Sequence, residues 1–263
     1  MFYALAKGEV VIDDYQIDHI MEDIESLNRR ALAGELDVTA ISAAIYPQVA
    51  ESYRILACGA SVGRSYGPIL VAKNPLRPQD LEGKRIGIPG AHTTAYLLLR
   101  LCLEPSFQPM IMPFDAILEA VEAGQVDAGV IIHEGQITWK KQGLLKILDL
   151  GEEWARDTSL PIPLGLDIVH RRLGKRLTRK IAKALKDSIR YARANEDDAL
   201  DYALEYGRGI DRETCRRFVR MYVNDDTVNM GKEGQKALET LYYRAWERGL
   251  APTLPSLDIV GLK

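Results

Sequence analysis

The chain has little of the residue types that mark several common protein classes. Its 263 residues include only three cysteines, Cys58, Cys102 and Cys215, with no CxxC spacing. We therefore expect reduced thiols in a reducing compartment, not a disulfide framework. Four scattered histidines form neither HxH nor HExxH, so the sequence predicts no metal site. No apolar run could span a bilayer, and the first residues lack the pattern of a signal peptide.

The net charge is small, and the dinucleotide-binding motif is missing. The net charge of −3 offers no electrostatic footprint for a nucleic acid or a membrane surface. GxGxxG is absent, which argues against a dinucleotide site. What is present is a composition of 47% apolar and 27% charged residues, typical of a globular protein with a sizeable core.

Strand-like and helix-like segments alternate along the first two thirds of the chain, which predicts an α/β fold. The predicted strands are 37–42, 53–61, 66–73, 84–90, 126–132, 144–151 and the apolar part of 160–172. The predicted helices are 24–33, 91–103, 114–124, 175–194, 196–207, 211–223 and 231–249.

Turn-rich segments suggest that this α/β chain forms two lobes. The segment NPLRPQDLEG marks one crossing between them, and LPIPLG marks the return. The sequence thus predicts lobe one from 1–73 and 164–263, and lobe two from 74–163. Two crossings leave a cleft between the lobes, a preferred place for a small ligand.

Three predicted strand ends lead into small or hydroxyl residues and a helix start. They carry Ser42 in TAISAA, Thr93 and Thr94 in GIPGAHTTA, and His133 in GVIIHEG. Free N–H groups and the helix dipole at such junctions favour a carboxylate or another anion. Each hydroxyl taken singly is better explained as an N-cap, which is common at every helix start.

His133 is the one histidine placed at the end of a predicted buried strand. A neutral imidazole there could take up a proton at physiological pH. The alternative is a structural histidine whose ring nitrogens are satisfied by backbone groups. His92 is as readily a helix-start residue as a ligand, and Arg64 is better explained as a solvated turn residue than as an anion contact.

The segments together resemble one enzyme family, the 1,4-dihydroxy-6-naphthoate synthases of the futalosine route to menaquinone. The resemblance covers nearly the whole chain in order. HTTAY and IIHE separate it from generic solute-binding proteins. The segments that carry it are DIESLNRRAL, LDVTAISAAIY, GRSYGPILVA, IPGAHTTAYLLL, VDAGVIIHEGQ, LPIPLGLDIV and YVNDDTVNMGKEG.

This resemblance implies a two-lobed fold like that of periplasmic binding proteins of type 2. It implies a cytoplasmic carbon–carbon lyase, without metal or organic cofactor, that converts cyclic dehypoxanthine futalosine to 1,4-dihydroxy-6-naphthoate. His133 would be the proton acceptor. The substrate, a small aromatic carboxylate, would be bound by two segments, whose residues are Ala40, Ile41, Ser42, Thr93, Thr94 and Ala95.

The sequence departs from the family pattern at its beginning. Family members carry a first strand and a polar loop before the segment that matches FYAL, whereas this chain opens at Met1 and Phe2. The expectation is that lobe one lacks its first strand, through a late start or a truncation. Such a chain would be marginally stable.

Two other functions fit the same fold. A chorismate dehydratase acts in the same pathway, but that family does not share the IIHE motif. A non-catalytic solute-binding protein or an effector domain is also compatible, since fold alone does not give function.

Overall fold

Two separate β-sheets organise the molecule, for which a computed structural model describes residues 1–206 and 209–262. The predicted α/β class is confirmed. The strands are β1 (Val38–Ser42), β2 (Tyr53–Leu56), β3 (Ser61–Gly63), β4 (Ile69–Ala72), β5 (Arg85–Ile88), β6 (Gln108–Ile111), β7 (Ala128–Ile131), β8 (Leu145–Asp149), β9 (Ile162–His170) and β10 (Ile259–Val260).

Helices cover both sheets, and 3-10 turns connect several of the elements. The helices are α1 (Tyr3–Ala6), α2 (Ile24–Leu32), α3 (Tyr46–Val49), α4 (Thr94–Cys102), α5 (Ile117–Glu122), α6 (Gly135–Thr138), α7 (Leu150–Thr158), α8 (Gly174–Ala194), α9 (Glu196–Leu204), α10 (Arg212–Tyr222), α11 (Asp225–Val228) and α12 (Gly231–Glu247). The turns are Ala43–Ile45, Pro78–Leu81, Phe114–Ala116, Trp139–Gln142 and Arg171–Leu173.

The first sheet is built around β9. Its strand order is β1-β9-β2-β10, and β3 pairs with another part of β9. β9 runs antiparallel to β1, with Ser42 opposite Gly165 and Ala40 opposite Asp167. Among the described residues β1 pairs with no strand except β9, so it forms one edge of this sheet. The segment that precedes α2 exposes Ile17 to solvent.

The second sheet places two strand ends of the candidate site side by side. Its order is β6-β5-β7-β4-β8, and β5 is parallel to both β6 and β7. Neighbouring parallel strands end at the same edge, where open α/β sheets bind ligands. The segment that follows β5 leads to Thr93, and the segment that follows β7 leads to His133.

One apolar core joins the two sheets. It includes Ile41 and Ile55 of the first sheet, Ile86 of the second, and residues of α4 and α12. Two smaller clusters lie on the outer faces of the sheets, under α5 and α8 respectively. The lobes are therefore packed against each other.

The predicted boundary between the lobes at 73/74 is wrong. β4 lies inside the second sheet, between β7 and β8, so the first crossing passes through 64–68. The sequence predicted 53–61 and 66–73 as two consecutive strands of lobe one, but order along the chain does not show which sheet a strand joins. All residues of β4, Ile69–Ala72, are buried. Burial on both faces is typical of a strand in the middle of a sheet. The return crossing precedes Ile162, since all of β9 belongs to the first sheet.

Several predicted elements differ from the structure at their ends. The helix predicted over 91–103 begins at Thr94, because Thr93 accepts a hydrogen bond from the Tyr96 N–H and caps it. The helix predicted over 196–207 ends at Leu204, and residue 207 lies outside the described residues. The sequence did not predict the edge strand β6, whose four residues are all exposed.

Candidate active site

His133 follows β7 in a strained backbone conformation. Its φ of 55° lies in the left-handed region, which residues other than glycine seldom occupy. Such strain persists only where the surroundings enforce it, and it is concentrated at functional sites. The chain turns at His133 and Glu134, directly after the buried strand and before α6.

Aromatic rings from both lobes surround the imidazole of His133. The centroid of the Phe114 ring lies 4.5 Å from it, and that of Phe218 lies 6.0 Å from it on α10 of the first lobe. On the same helix, the Tyr222 hydroxyl donates to Gln136 Oε1 at 2.6 Å. Tyr66, in the first crossing, packs edge-on against Tyr222. His133 therefore lies between the lobes in a partly apolar setting.

Ser42 ends β1 and is fixed by a residue of α2. Its N–H donates to Asn28 Oδ1 at 2.8 Å, and its Oγ accepts from Asn28 Nδ2 at 3.0 Å. The Asn28 side chain is fully buried. Because the Ser42 oxygen is held as an acceptor, its hydroxyl hydrogen can point to another group.

The two threonines have different surroundings. The Thr93 hydroxyl donates to the Gly90 carbonyl oxygen and caps α4. The Thr94 hydroxyl instead joins the lobes: it donates to the Leu164 carbonyl oxygen at 2.7 Å and accepts from the Ala44 N–H at 3.1 Å. Both side chains are buried. The Thr94 hydroxyl is thus already satisfied by protein groups.

The first turn of α4 supplies donors for an anion. Thr94 and Ala95 are its first two residues, and helix geometry gives their N–H groups no acceptor within the helix. The helix dipole adds partial positive charge there. Through the Thr94 hydroxyl this helix start contacts the backbone near Ser42, at Ala44 two residues after it and at Leu164, which is next to its β9 partner Gly165. Ser42 and the start of α4 therefore lie close together where the two lobes meet.

Two of the predicted substrate residues have mainly structural surroundings. The Ile41 side chain is completely buried in the shared core, and Ala40 pairs with Asp167 of β9. Neither side chain carries a polar group, so any contact with a ligand would come through the backbone near the end of β1.

The site also contains two polar residues that the sequence analysis missed. The helix α2, predicted over 24–33, buries Glu25, Asn28 and Ala31 on one face, although two of these three residues are polar. Glu25 hydrogen-bonds to His92, which follows β5. The signal available in the sequence was a glutamate and an asparagine three residues apart within an apolar helical pattern.

Arg64 lies outside this constellation and is held by ion pairs. Its guanidinium bonds Asp226 and Glu233 at 2.8 Å, and these carboxylates raise its pKa. The side chain is 51% exposed, which agrees with its interpretation as a solvated turn residue. Among the described residues, no group of three His, Cys, Asp or Glu side chains is arranged to hold a metal ion. In the same part of the chain, no helix is both long and apolar enough to cross a membrane.

Comparison with known proteins identifies the family of this chain. A family described as menaquinone biosynthesis matches residues 1–247. The 1,4-dihydroxy-6-naphthoate synthase of Thermus thermophilus is 41% identical over 255 residues, which span 97% of this chain and 92% of that protein. The enzyme of the same name from Streptomyces coelicolor is 36% identical over 259 residues, 97% of this chain and 91% of that protein.

The chain belongs to this menaquinone-biosynthesis family.

Solved structures extend the likeness to the fold. A crystal structure of a protein from Archaeoglobus fulgidus superimposes with a TM-score of 0.90 at 48% identity, covering 95% of this chain and 92% of that one. The alkanesulfonate-binding protein from Xanthomonas axonopodis gives a TM-score of 0.67 at 16% identity, covering 90% and 84% respectively. At that identity only the fold is shared, and it confirms the expected periplasmic-binding-protein-like architecture of this family member.

Proposed function

We propose that the chain is a 1,4-dihydroxy-6-naphthoate synthase, a lyase that forms this naphthoate from cyclic dehypoxanthine futalosine. The names of its relatives from Thermus thermophilus and Streptomyces coelicolor support the assignment. The observation that carries the mechanism is the strained His133 at the strand end beside the segment that leads to α4. This geometry supports the proposal of a proton acceptor and an anion-binding helix start at one edge of the second sheet.

His133 is proposed as the general base. An imidazole accepts protons near neutrality, and a positioned base typically contributes about 10²- to 10⁴-fold to rate. Its aromatic neighbours Phe114 and Phe218 limit the water around the ring, which strengthens electrostatic interactions in the closed cleft. Removal of a substrate proton starts the cleavage of a carbon–carbon bond, and the new aromatic ring supplies much of the driving force.

The substrate carboxylate is proposed to bind between the end of β1 and the start of α4. The Ser42 hydroxyl and the N–H groups of Thr94 and Ala95 are the donors there, while Thr93 caps the helix. Ala40 and Ile41 contribute backbone and shape. These groups can hold a carboxylate without a metal or organic cofactor.

The cytoplasm is the proposed location. The cysteines Cys58, Cys102 and Cys215 are all free, as expected in a reducing compartment. Burial raises the pKa values of the Cys58 and Cys102 thiols to about 12, which keeps them protonated and unreactive.

The function is tested by incubating the purified protein with cyclic dehypoxanthine futalosine and following 1,4-dihydroxy-6-naphthoate by mass spectrometry. We expect product in proportion to enzyme and time. Tight binding of the substrate with no product would instead identify a binding protein on the same fold and refute the assignment.

A further inference from the structure

Glu25 presents a buried carboxylate from the first lobe to the second. It lies on α2 and is 7% exposed. His92 Nδ1 lies 2.7 Å from Glu25 Oε1, and the His92 backbone N–H donates to Oε2 at 3.3 Å. The nearest cation on its own helix, Arg29, is 3.6 Å away and mostly exposed. The hydrogen bonds of this carboxylate therefore run across the cleft to the segment that precedes α4.

The segment before α4 is shaped to receive this carboxylate. A Cβ atom added at Gly90 would lie only 2.4 Å from Glu25 Oε2. Only glycine allows the backbone to approach a side chain so closely. The carboxylate is thus packed directly on the chain that leads from β5 to Thr93 and Thr94.

The same face of α2 also holds the other half of the anion site. Asn28 lies three residues beyond Glu25 and so projects on the same side of the helix. It makes two hydrogen bonds to Ser42 and one, at 3.4 Å, to the His92 carbonyl oxygen. One helix face therefore connects both segments that are proposed to bind the substrate.

We propose that Glu25 is a positioning residue for the anion site, a role that rests on the proposed function and extends it. It holds residues 90–95 against the first lobe through His92. It thereby sets the separation between the Ser42 hydroxyl and the N–H groups of Thr94 and Ala95. Without Glu25 the cap of α4 remains, because Thr93 supplies it, but the helix start is then held near Ser42 only by the hydrogen bonds of Thr94 and Asn28, and its position relative to Ser42 shifts.

The first test is a split between KM and kcat. For Glu25→Ala we expect KM to rise roughly 10- to 100-fold, the range for losing hydrogen bonds to a charged group. kcat should change by no more than about threefold, since ground-state binding is what is lost. Glu25→Gln should recover part of the KM. Glu22→Ala is the matched control, because Glu22 pairs with Arg30 and should leave both constants unchanged.

A double-mutant cycle with His92→Ala isolates the contact itself. If Glu25 acts through His92, the double variant should raise KM no more than Glu25→Ala alone. Additive effects, or an unchanged KM with a lowered Tm, would overturn the proposal and leave Glu25 with a structural role only. The dissociation constant of 1,4-dihydroxy-6-naphthoate, measured for the same variants, reports on Glu25 even if the wild-type protein shows no turnover and the assigned reaction fails.

Discussion

At the scale of single residues, the site uses hydroxyl groups in two different ways. Ser42 keeps its hydroxyl hydrogen available, whereas Thr94 already uses both functions of its hydroxyl to join the Leu164 carbonyl and the Ala44 N–H. A direct hydrogen bond from the Thr94 side chain to a substrate carboxylate, the simplest expectation from HTTA, would require one of these contacts to break. The backbone of the helix start is the better donor.

Replacement of Thr94 by valine should therefore reduce stability as well as ligand binding. It leaves the partly buried Leu164 carbonyl and Ala44 N–H without their partner, and each such loss costs about 1–3 kcal/mol where the group is shielded from water. We expect a lower Tm in thermal unfolding and a weaker affinity for 1,4-dihydroxy-6-naphthoate by calorimetry. Thr94→Ser retains the hydroxyl and should preserve both. A Thr94→Val protein with unchanged Tm and weaker binding would show that the hydroxyl contacts the ligand directly.

At the scale of elements, β9 contains a buried carboxyl group that lacks hydrogen-bond partners among the described residues. Asp167 is buried, and neither carboxylate oxygen has a hydrogen-bond partner among the described residues. A Cβ atom at Gly59 would lie 1.9 Å from Asp167 Oδ2, so the side chain is tightly enclosed. Burial raises its pKa to about 7, partly opposed by the chain-terminal amine.

The raised pKa of Asp167 predicts a pH-dependent stability. The folded state favours the protonated acid, so the contribution of Asp167 to the free energy of unfolding is fully present below the ordinary pKa near 4. It is lost as the pH rises through about 7. Relative to wild type, Asp167→Asn should therefore gain about 2–3 kcal/mol more in unfolding free energy at pH 8 than at pH 5. Denaturant titrations at both pH values measure this, and an equal gain at both would mean that Asp167 does not titrate in this range.

Much of this element structure could be predicted from the sequence, and the exceptions have physical causes. Buried strands such as β7 and long amphipathic helices such as α8 can be predicted from their pattern of apolar residues. The sheet to which a strand belongs cannot be predicted in this way, because the pattern of β4 fits pairing with β2 as well as its actual place between β7 and β8. The buried polar face of α2 could not be predicted from apolar periodicity. Its residues Glu25 and Asn28 are polar, and they are buried where they hydrogen-bond to His92 and Ser42.

At the scale of the whole molecule, the two lobes already contact each other on several sides. The shared core joins α4 to α12, Thr94 bonds β9, and Tyr222 bonds Gln136. A ligand in the cleft therefore adds to an existing interface. It does not have to create one.

This arrangement predicts coupled protection from hydrogen exchange. Added 1,4-dihydroxy-6-naphthoate should slow exchange in residues 40–46 and 90–97 together, because Asn28 and Thr94 connect the two segments. The outer helix α8 serves as the internal reference and should be unaffected. Protection of one segment without the other would contradict a carboxylate site shared by both lobes.

The most direct test of the central claim, that a cleft with His133 as base performs the lyase reaction, is His133→Asn. Asparagine tolerates the left-handed backbone of this position, so the fold should be kept. We predict that kcat falls at least about 100-fold while the dissociation constant of cyclic dehypoxanthine futalosine, measured by calorimetry, stays near its wild-type value. A variant that binds normally and turns over at the wild-type rate would contradict the account.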